Sequence, residues 1–274
     1  MTPIHIMING VPGKVATTLL AHAMKDERFT VIPFSLTGPG TEKSIPVNGT
    51  DITLVSPDER FEAIKKIKAK YAPFITVDYT HPTAVDANVA FYCENGLPFV
   101  MGTTGGNRDQ IREAVNHSDI PAVIAPNMAK QIVGLQAMIE YGAQNFPGLF
   151  NGYEMSVKES HQSWKADTSG TAKAIIRQFN LLGVDFTEAD IDKVRDPEAQ
   201  KAMGIAEEHL DGHGWHTYTL KASDGGSEFG ITHNINGRDI YAEGTLDAVA
   251  FVEKKRDQGI SGHCFSMIDV MKNL

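Results

Sequence analysis

The sequence predicts an α/β protein: a Rossmann-like, doubly wound parallel sheet joined to a smaller α+β domain with a mixed sheet. Three observations carry this. Short β-rich runs alternate with helical periodicities from Ile4 to Ala125, the pattern of a parallel sheet covered on both faces. A glycine turn stands between the first run and the first helix. Beyond Met128 the pattern changes to longer alternating strands around one helix, and after Arg238 it turns helical again.

The elements follow in order. Ile4 to Ile8 is a compact apolar run, and Val15, Leu19, Leu20, Ala23 and Met24 recur at helical spacing behind it. Phe29 to Phe34 reads as a second strand. Asn48-Gly49, a strong hairpin dipeptide, centres a small hairpin from Ile45 to Val55. A helix follows to about Lys70, then a strand at Phe74 to Val77 and a helix from Pro82 to Asn95, stopped by Gly96. Pro98 to Met101 is a strand, Asn107 to Asn116 a helix and Ala122 to Ala125 a strand.

In the second half, a helix from Ala129 to Gln144 leads into strands near Tyr153 to Glu159, His216 to Ala222 and Phe229 to Asn236. A helix from Ser169 to Leu182 sits among them. Glu188 to Glu208 reads as a charged, solvated helix or a subunit contact. Helices are expected at Gly244 to Lys254 and Phe265 to Met271.

Composition bounds the function classes. The chain has 274 residues, 42% of them hydrophobic and 22% charged, which suits a globular protein of one or two domains. A net charge of −9 argues against a nucleic-acid partner, which calls for a basic face. No apolar run is long enough to span a membrane, and no signal-like segment precedes Ile4, so a soluble compartment is expected. The two cysteines, Cys93 and Cys264, lack metal-ligand spacing and read as reduced thiols.

The glycine turn reads Gly10-Val11-Pro12-Gly13-Lys14-Val15-Ala16. The first glycine serves a tight turn and the second a close approach of backbone to phosphate, with Ala16 small enough for the helix to pack on its strand. The helix start supplies free N–H groups to a pyrophosphate, so a dinucleotide is expected here. A Walker-type site is excluded by the missing glycine and by the absence of Ser or Thr after Lys14. The second strand runs out as Phe34-Ser35-Leu36-Thr37-Gly38, without the carboxylate that usually holds a ribose hydroxyl. Ser35, Thr37 and Lys14 are instead candidates for a 2′-phosphate, favouring NADPH over NADH.

Three more strands end in Asp78-Tyr79-Thr80-His81-Pro82, Gly102-Thr103-Thr104-Gly105-Gly106 and Ala125-Pro126-Asn127-Met128. All should reach the same sheet edge as the glycine turn, where ribose and nicotinamide would lie.

The most informative stretch is Glu159-Ser160-His161-Gln162-Ser163-Trp164-Lys165-Ala166-Asp167-Thr168-Ser169-Gly170-Thr171. It sets a titratable His and Lys four residues apart, ahead of a Ser-Gly-Thr helix start able to hold a carboxylate. With the glycine loop, Asp78-Tyr79-Thr80, Gly102-Thr103-Thr104-Gly105, Ala125-Pro126-Asn127, Ile231-Thr232-His233, Arg238 and Ala242-Glu243-Gly244, the chain resembles the 4-hydroxy-tetrahydrodipicolinate reductases (dihydrodipicolinate reductases) of lysine biosynthesis. That family carries a second histidine where Gln162 stands and a proline before Ser-Gly-Thr. These departures, and Trp164, look like its plant-type branch.

The resemblance implies NAD(P)H-dependent reduction of a small cyclic dicarboxylate. His161 or Lys165 would supply the proton that follows hydride addition. Ser169, Gly170 and Thr171 would hold one carboxylate, with Gln162, His233 or Arg238 at the other. Gly102 and Thr104 would contact the nicotinamide or its ribose. It divides the chain into a dinucleotide-binding domain (1–128), a substrate-binding and oligomerisation domain (129–239) and a C-terminal segment (240–274) that returns to the first. Hinges are expected near 128 and 240. It also implies a homo-oligomer, dimer or tetramer, in a cytoplasm or, after loss of a transit peptide, a plastid stroma.

Against this stand another two-domain dehydrogenase of a small amino or keto acid, and a catalytically silent nucleotide sensor. His209, His213 and His216 near Asp211 read as a polar loop before a strand, and no metal is expected.

Overall fold

The computed structural model describes residues 2–40 and 42–274. It contains two compact units: residues up to Lys130 together with Asp239–Leu274, and Gln131–Arg238.

In the first unit, β1 (Ile4–Asn9) is followed by α1 (Lys14–Ala23), β2 (Phe29–Val31), β3 (Phe34–Leu36), β4 (Ser44–Val47), β5 (Thr50–Val55), α2 (Arg60–Tyr71) and β6 (Ile75–Asp78). After these come α3 (Val85–Glu94), β7 (Phe99–Met101), α4 (Arg108–Asn116) and β8 (Pro121–Ile124). The second unit carries α5 (which begins at the boundary, Lys130–Asn145), β9 (Tyr153–His161), α6 (Gly170–Leu181), β10 (Asp192–Val194), α7 (Pro197–Ala202), β11 (His213–Ala222) and β12 (Glu228–Asn236). The chain then returns to the first unit as α8 (Asp239–Asp257), β13 (His263–Phe265) and α9 (Met267–Met271).

The main sheet has six parallel strands in the order β13-β8-β7-β6-β1-β2. The order reverses at β1, which lies between β2 and β6, and the crevice beyond the C-terminal strand ends at such a point is where ligands bind. Its central strands are buried throughout, as strands with helices on both faces must be: Ile75 to Asp78 and Phe99 to Met101 are wholly inside. The single second strand expected from Phe29 to Phe34 is two strands in different sheets. Pro33, with no N–H to give a ladder, separates them, and β3 joins a side sheet of order β3-β5-β4. The Asn48-Gly49 turn closes β4 on β5 with φ of 47° and 80°, as a two-residue hairpin requires.

The second unit is a mixed sheet, β10-β9-β11-β12. Strand period places Val157, Glu159 and His161 of β9 on one face with His216, Tyr218 and Leu220 of β11 and His233 of β12. The apolar end of that face is sealed by Ile175, Ile176 and Phe179 of α6 and Ile139 of α5. Glu188 to Glu208 is not one helix. It holds two 3₁₀ turns around β10 and the short α7, which starts at Pro197 behind an Asp196 cap. Strand β13, three residues long, adds an edge to the main sheet where only a helix was expected. No helix among the described residues is long and apolar enough to cross a membrane.

Candidate active site

In the first unit the loops beyond β1, β6 and β7 meet at the switch point. Gly10 sits at φ +99°, and a Cβ there would lie 2.2 Å from the Tyr79 carbonyl oxygen, so only glycine fits. A Cβ on Gly13 would lie 2.7 Å from the Gly10 oxygen, and one on Gly102 would lie 2.4 Å from the Tyr79 ring. Helix α1 begins at Lys14 with no side-chain cap, leaving its leading N–H groups at the turn. Two close-approach glycines before an uncapped helix at the sheet's switch point fit a dinucleotide pyrophosphate.

Several residues expected to touch the cofactor instead hold its loops. Ser35 is fully buried and its hydroxyl accepts the Val11 N–H at 3.2 Å, so it is spent on the glycine turn and not open to a 2′-phosphate. Val11 itself is fully buried. Asp78 is also fully buried. One carboxylate oxygen accepts Thr80 N–H, Thr80 Oγ1 and Thr103 Oγ1 at 3.0, 2.8 and 2.6 Å, the other Tyr92 and Asn88 at 2.7 and 3.0 Å. Both Asp78 and Thr80 are therefore saturated within the fold. The Tyr79 hydroxyl lies 2.6 Å from Thr245 of α8, and burial raises its pKa. Asn127 caps the following turn through Ala129 N–H, and the Met128 side chain is buried, leaving Pro126 on the surface of that loop.

Lys14, Pro12, Gly13 and Thr104 are exposed, with Val15, Thr37 and Gly102 half-buried. Thr37 and Pro12 line a cavity of about 360 Å³ with Gly38, Pro39, Gly40, Glu42, Lys43, Leu54 and Ser56. Lys43 and Glu42 thus line the same cavity from the segment just before β4. No spacing rule pointed to them, because hairpin insertion, not sequence distance, brings them there.

In the second unit β9 delivers Glu159, Ser160 and His161, and the chain then turns tightly, with Lys165 N–H bonded to the Gln162 carbonyl at 3.0 Å. Glu159 is fully buried, with one oxygen paired to Arg195 and the other accepting the Ser169 N–H at 2.9 Å, while His216 Nε2 lies 3.6 Å away. Burial would raise its pKa, but His216, Arg195 and Ser169 together outweigh that and hold it at about 2. The same carboxylate fixes the start of α6 beside the end of β9. The Ser169 N–H is thereby used up, while its hydroxyl caps nothing. Gly170 and Thr171 follow as the open helix start.

His161 lies across from Gly214, where a Cβ would stand 2.9 Å from its ring. Its Nδ1 is 3.1 Å from the His213 carbonyl, so Nδ1 carries the proton, and Nε2 is left 3.3 Å from His216 Nε2. Burial, aided by His216, lowers the His161 pKa to about 4, so the ring is neutral at pH 7. His233 stacks on His216 at 4.6 Å between ring centroids. Both its ring nitrogens are buried without hydrogen-bond partners among the described residues, and burial lowers its pKa to about 4. Gln162 donates to the His213 carbonyl at 3.3 Å. Lys165 holds the exposed Asp167 at 2.7 Å, and its carbonyl accepts Arg195 Nε at 2.7 Å. Arg238 is half-buried beside Gly212.

The sheet thus brings His161, Gln162 and His233 together with the buried Glu159 and His216, and Glu159 ties the α6 start to them. Sequence reading missed Glu159, Arg195 and His216. It began the strand at His216 without assigning that residue a role, whereas β11 begins at His213.

Comparisons with known proteins agree over nearly the whole chain. The family model for "Dihydrodipicolinate reductase, N-terminus" matches residues 4–128, and that for the C-terminus matches 132–271. A chloroplastic 4-hydroxy-tetrahydrodipicolinate reductase of Arabidopsis thaliana is 42% identical over 98% of this chain and 78% of its own length. The probable reductase 2 of Oryza sativa is 40% identical over 97% and 82%. The solved, dipicolinate-bound dihydrodipicolinate reductase of Paenisporosarcina sp. TG-14 shares the fold at TM-score 0.66 and 17% identity, covering 96% of this chain and 97% of that one. With both halves matched and full-length relatives at this identity, the chain belongs to the dihydrodipicolinate reductase family.

Proposed function

We propose that the chain catalyses NAD(P)H-dependent reduction of 4-hydroxy-tetrahydrodipicolinate (dihydrodipicolinate) to tetrahydrodipicolinate, in lysine and diaminopimelate biosynthesis. The observation that carries the reading is the buried Glu159. It fastens an uncapped helix start, suited to a carboxylate, beside a strand end bearing His161 and leading to Lys165.

When bound, the reduced nicotinamide supplies the hydride; the chain's residues do the rest. Gly10, Gly13 and the open start of α1 receive the pyrophosphate. Gly102 and Thr104 present backbone and hydroxyl beyond β7. Gly170 and Thr171 N–H groups, with the Ser169 and Thr171 hydroxyls, take one substrate carboxylate. Arg238, Gln162 and His233 serve the other.

Lys165 is the proton donor. His161 is neutral, with its one proton given to a backbone carbonyl and its lone pair turned to His216. Lys165, its ammonium paired with an exposed carboxylate, can give a proton to the carbon that has gained negative charge, and as a cation it stabilises that charge beforehand.

The favoured cofactor is NADPH, with Lys14 and Thr37 at the 2′-phosphate and Lys43 facing the same cavity. The exposed Met138, Tyr141, Phe146 and Leu149 of α5 and its following turn, with the open edge of β12, support a homo-oligomer through the second unit. A plastid stroma or a cytoplasm is the compartment; the Arabidopsis and rice relatives are chloroplastic.

The test is oxidation of NADPH and NADH with substrate made in situ from pyruvate and aspartate semialdehyde. Substrate-dependent oxidation is expected. With K165A, kcat should fall by about 10²–10⁴-fold while cofactor affinity is unchanged. Cofactor binding without any turnover would return the assignment to another dehydrogenase or to a sensor.

A further inference from the structure

Antiparallel pairing sets His216 of β11 directly across from Glu159 of β9, and His161 projects from the same face two residues on. Three ligand atoms, one from each, lie within 4.8 Å of one another: a carboxylate oxygen and two ring nitrogens. Two of the separations are fixed: 3.3 Å between the two Nε2 atoms, and 3.6 Å from His216 Nε2 to Glu159 Oε2. For a tetrahedral ion with bonds of about 2.0–2.1 Å, neighbouring ligand atoms stand about 3.3–3.4 Å apart. Two edges of such a tetrahedron are therefore nearly in place without an ion.

For His161 and Glu159 the outer contacts are those a metal centre needs. His161 Nδ1–H is held by the His213 carbonyl, which turns the Nε2 lone pair inward. Glu159 is oriented by Arg195 on one oxygen and by the Ser169 N–H on the other, which keeps a lone pair free. Glu159 and His216 are 0% and 3% exposed. His216 Nδ1 has no hydrogen-bond partner among the described residues, so no acceptor pins its tautomer, and a proton moved to Nδ1 frees Nε2 as a ligand. Arg195 lies on the far carboxylate oxygen. Its charge disfavours a hard, weakly held cation and leaves the imidazoles to decide affinity, which selects an ion of the Zn²⁺ class over Mg²⁺ or Ca²⁺.

We infer that Glu159, His161 and His216 form a binding site for a first-row divalent cation of the Zn²⁺ type, and that filling it shuts off reduction. The second half rests on the functional reading above. An ion on Glu159, His161 and His216 fixes the His161 ring and adds positive charge beside the helix start that Glu159 holds, where it captures a substrate carboxylate unproductively. The spacing of His209, His213 and His216 along the chain does not reveal this set. Strand pairing makes it.

The experiment uses the full chain stripped by a chelator. Calorimetric titration with Zn²⁺ is expected to show one tight equivalent per chain, and Co²⁺ is expected to give the visible bands of a tetrahedral nitrogen and oxygen site. H216Q should weaken Zn²⁺ by about 100-fold and abolish the Co²⁺ bands. H161Q should do the same, which keeps the test decisive if either variant loses its cooperative thermal transition. Zn²⁺ should slow turnover of the unmodified chain, with EDTA restoring it.

Absence of the tight equivalent, or an equivalent indifferent to both variants, overturns the site. Binding that needs both histidines but leaves turnover unchanged upholds the site and overturns its inhibitory role. Zn²⁺ binding by a chain that reduces no dicarboxylate at all upholds the site and overturns only the reductase reading.

Discussion

Ser35 and Lys14 bear on the same turn of chain, yet their replacements should differ. Ser35 is buried beneath the turn and holds Val11 N–H. S35A leaves that N–H unpaired, at a cost of about 1–3 kcal/mol, and loosens the turn for any dinucleotide. NADPH and NADH affinities should then fall together. Lys14 is exposed at the head of α1, and in the proposed reading it meets a charge that NADPH has and NADH lacks. K14A should raise KM for NADPH several-fold and leave NADH alone; equal effects on both would remove Lys14 from 2′-phosphate recognition. The residue types at these positions were legible in the sequence, but their roles were not. A serine at a strand end reads alike whether its hydroxyl faces ligand or a neighbouring N–H. Asp78 is the same case, a carboxylate at a ligand edge that the fold itself saturates.

Among the elements, periodicity and punctuation located what they physically cause. The strands of the main sheet are apolar runs because both faces are covered. The hairpin is visible because Asn48-Gly49 takes positive φ at both positions. What escaped was short or set by pairing. Strands β10 and β13 are three residues each, too brief to show a period, and β3 was merged with β2 because Pro33 was not read as a break. The start of β11 was read as loop because Gly212 and Gly214 break the strand pattern there, and residues 213–215 are held in the strand by pairing with β9 and β12. The packing of loop on loop was likewise invisible, and it yields a prediction. A methyl group on Gly102 meets the Tyr79 ring, itself tied to Thr245. G102A should cost about 1–3 kcal/mol by overpacking and weaken cofactor binding through the displaced loop beyond β6. G225A sits at φ +72° with open space around the added methyl, so its effect should be backbone strain alone, without loss of cofactor binding. Intact cofactor affinity in a folded G102A chain would show that the Tyr79 loop does not shape the site.

At the scale of the whole molecule the two units differ in what acid does to them. The second unit half-buries His233 and His161, and desolvation holds both at about 4, against 6.5 in a free chain. Between those values the unfolded chain binds protons that the folded one refuses, so stability is full above pH 6.5 and falls as pH drops toward 4. Glu159 acts in a lower window. Held at about 2 against an ordinary 4.5, it contributes stability above pH 4.5 that is lost on approach to 2. All three groups and both windows belong to one mixed sheet, so acid should weaken that sheet in two successive stages. Amide hydrogen exchange is expected to quicken in β9, β11 and β12 below pH 6.5, before it does in the parallel sheet. H233L removes one titrating group and keeps most of the ring's packing against His216 and Tyr218. It should flatten the fall between pH 6.5 and 4 and leave the Glu159 stage untouched. If H233L and the unmodified chain lose stability along the same pH curve, His233 is protonated at no cost in the folded state. The sheet must then admit water or a counter-charge at that ring.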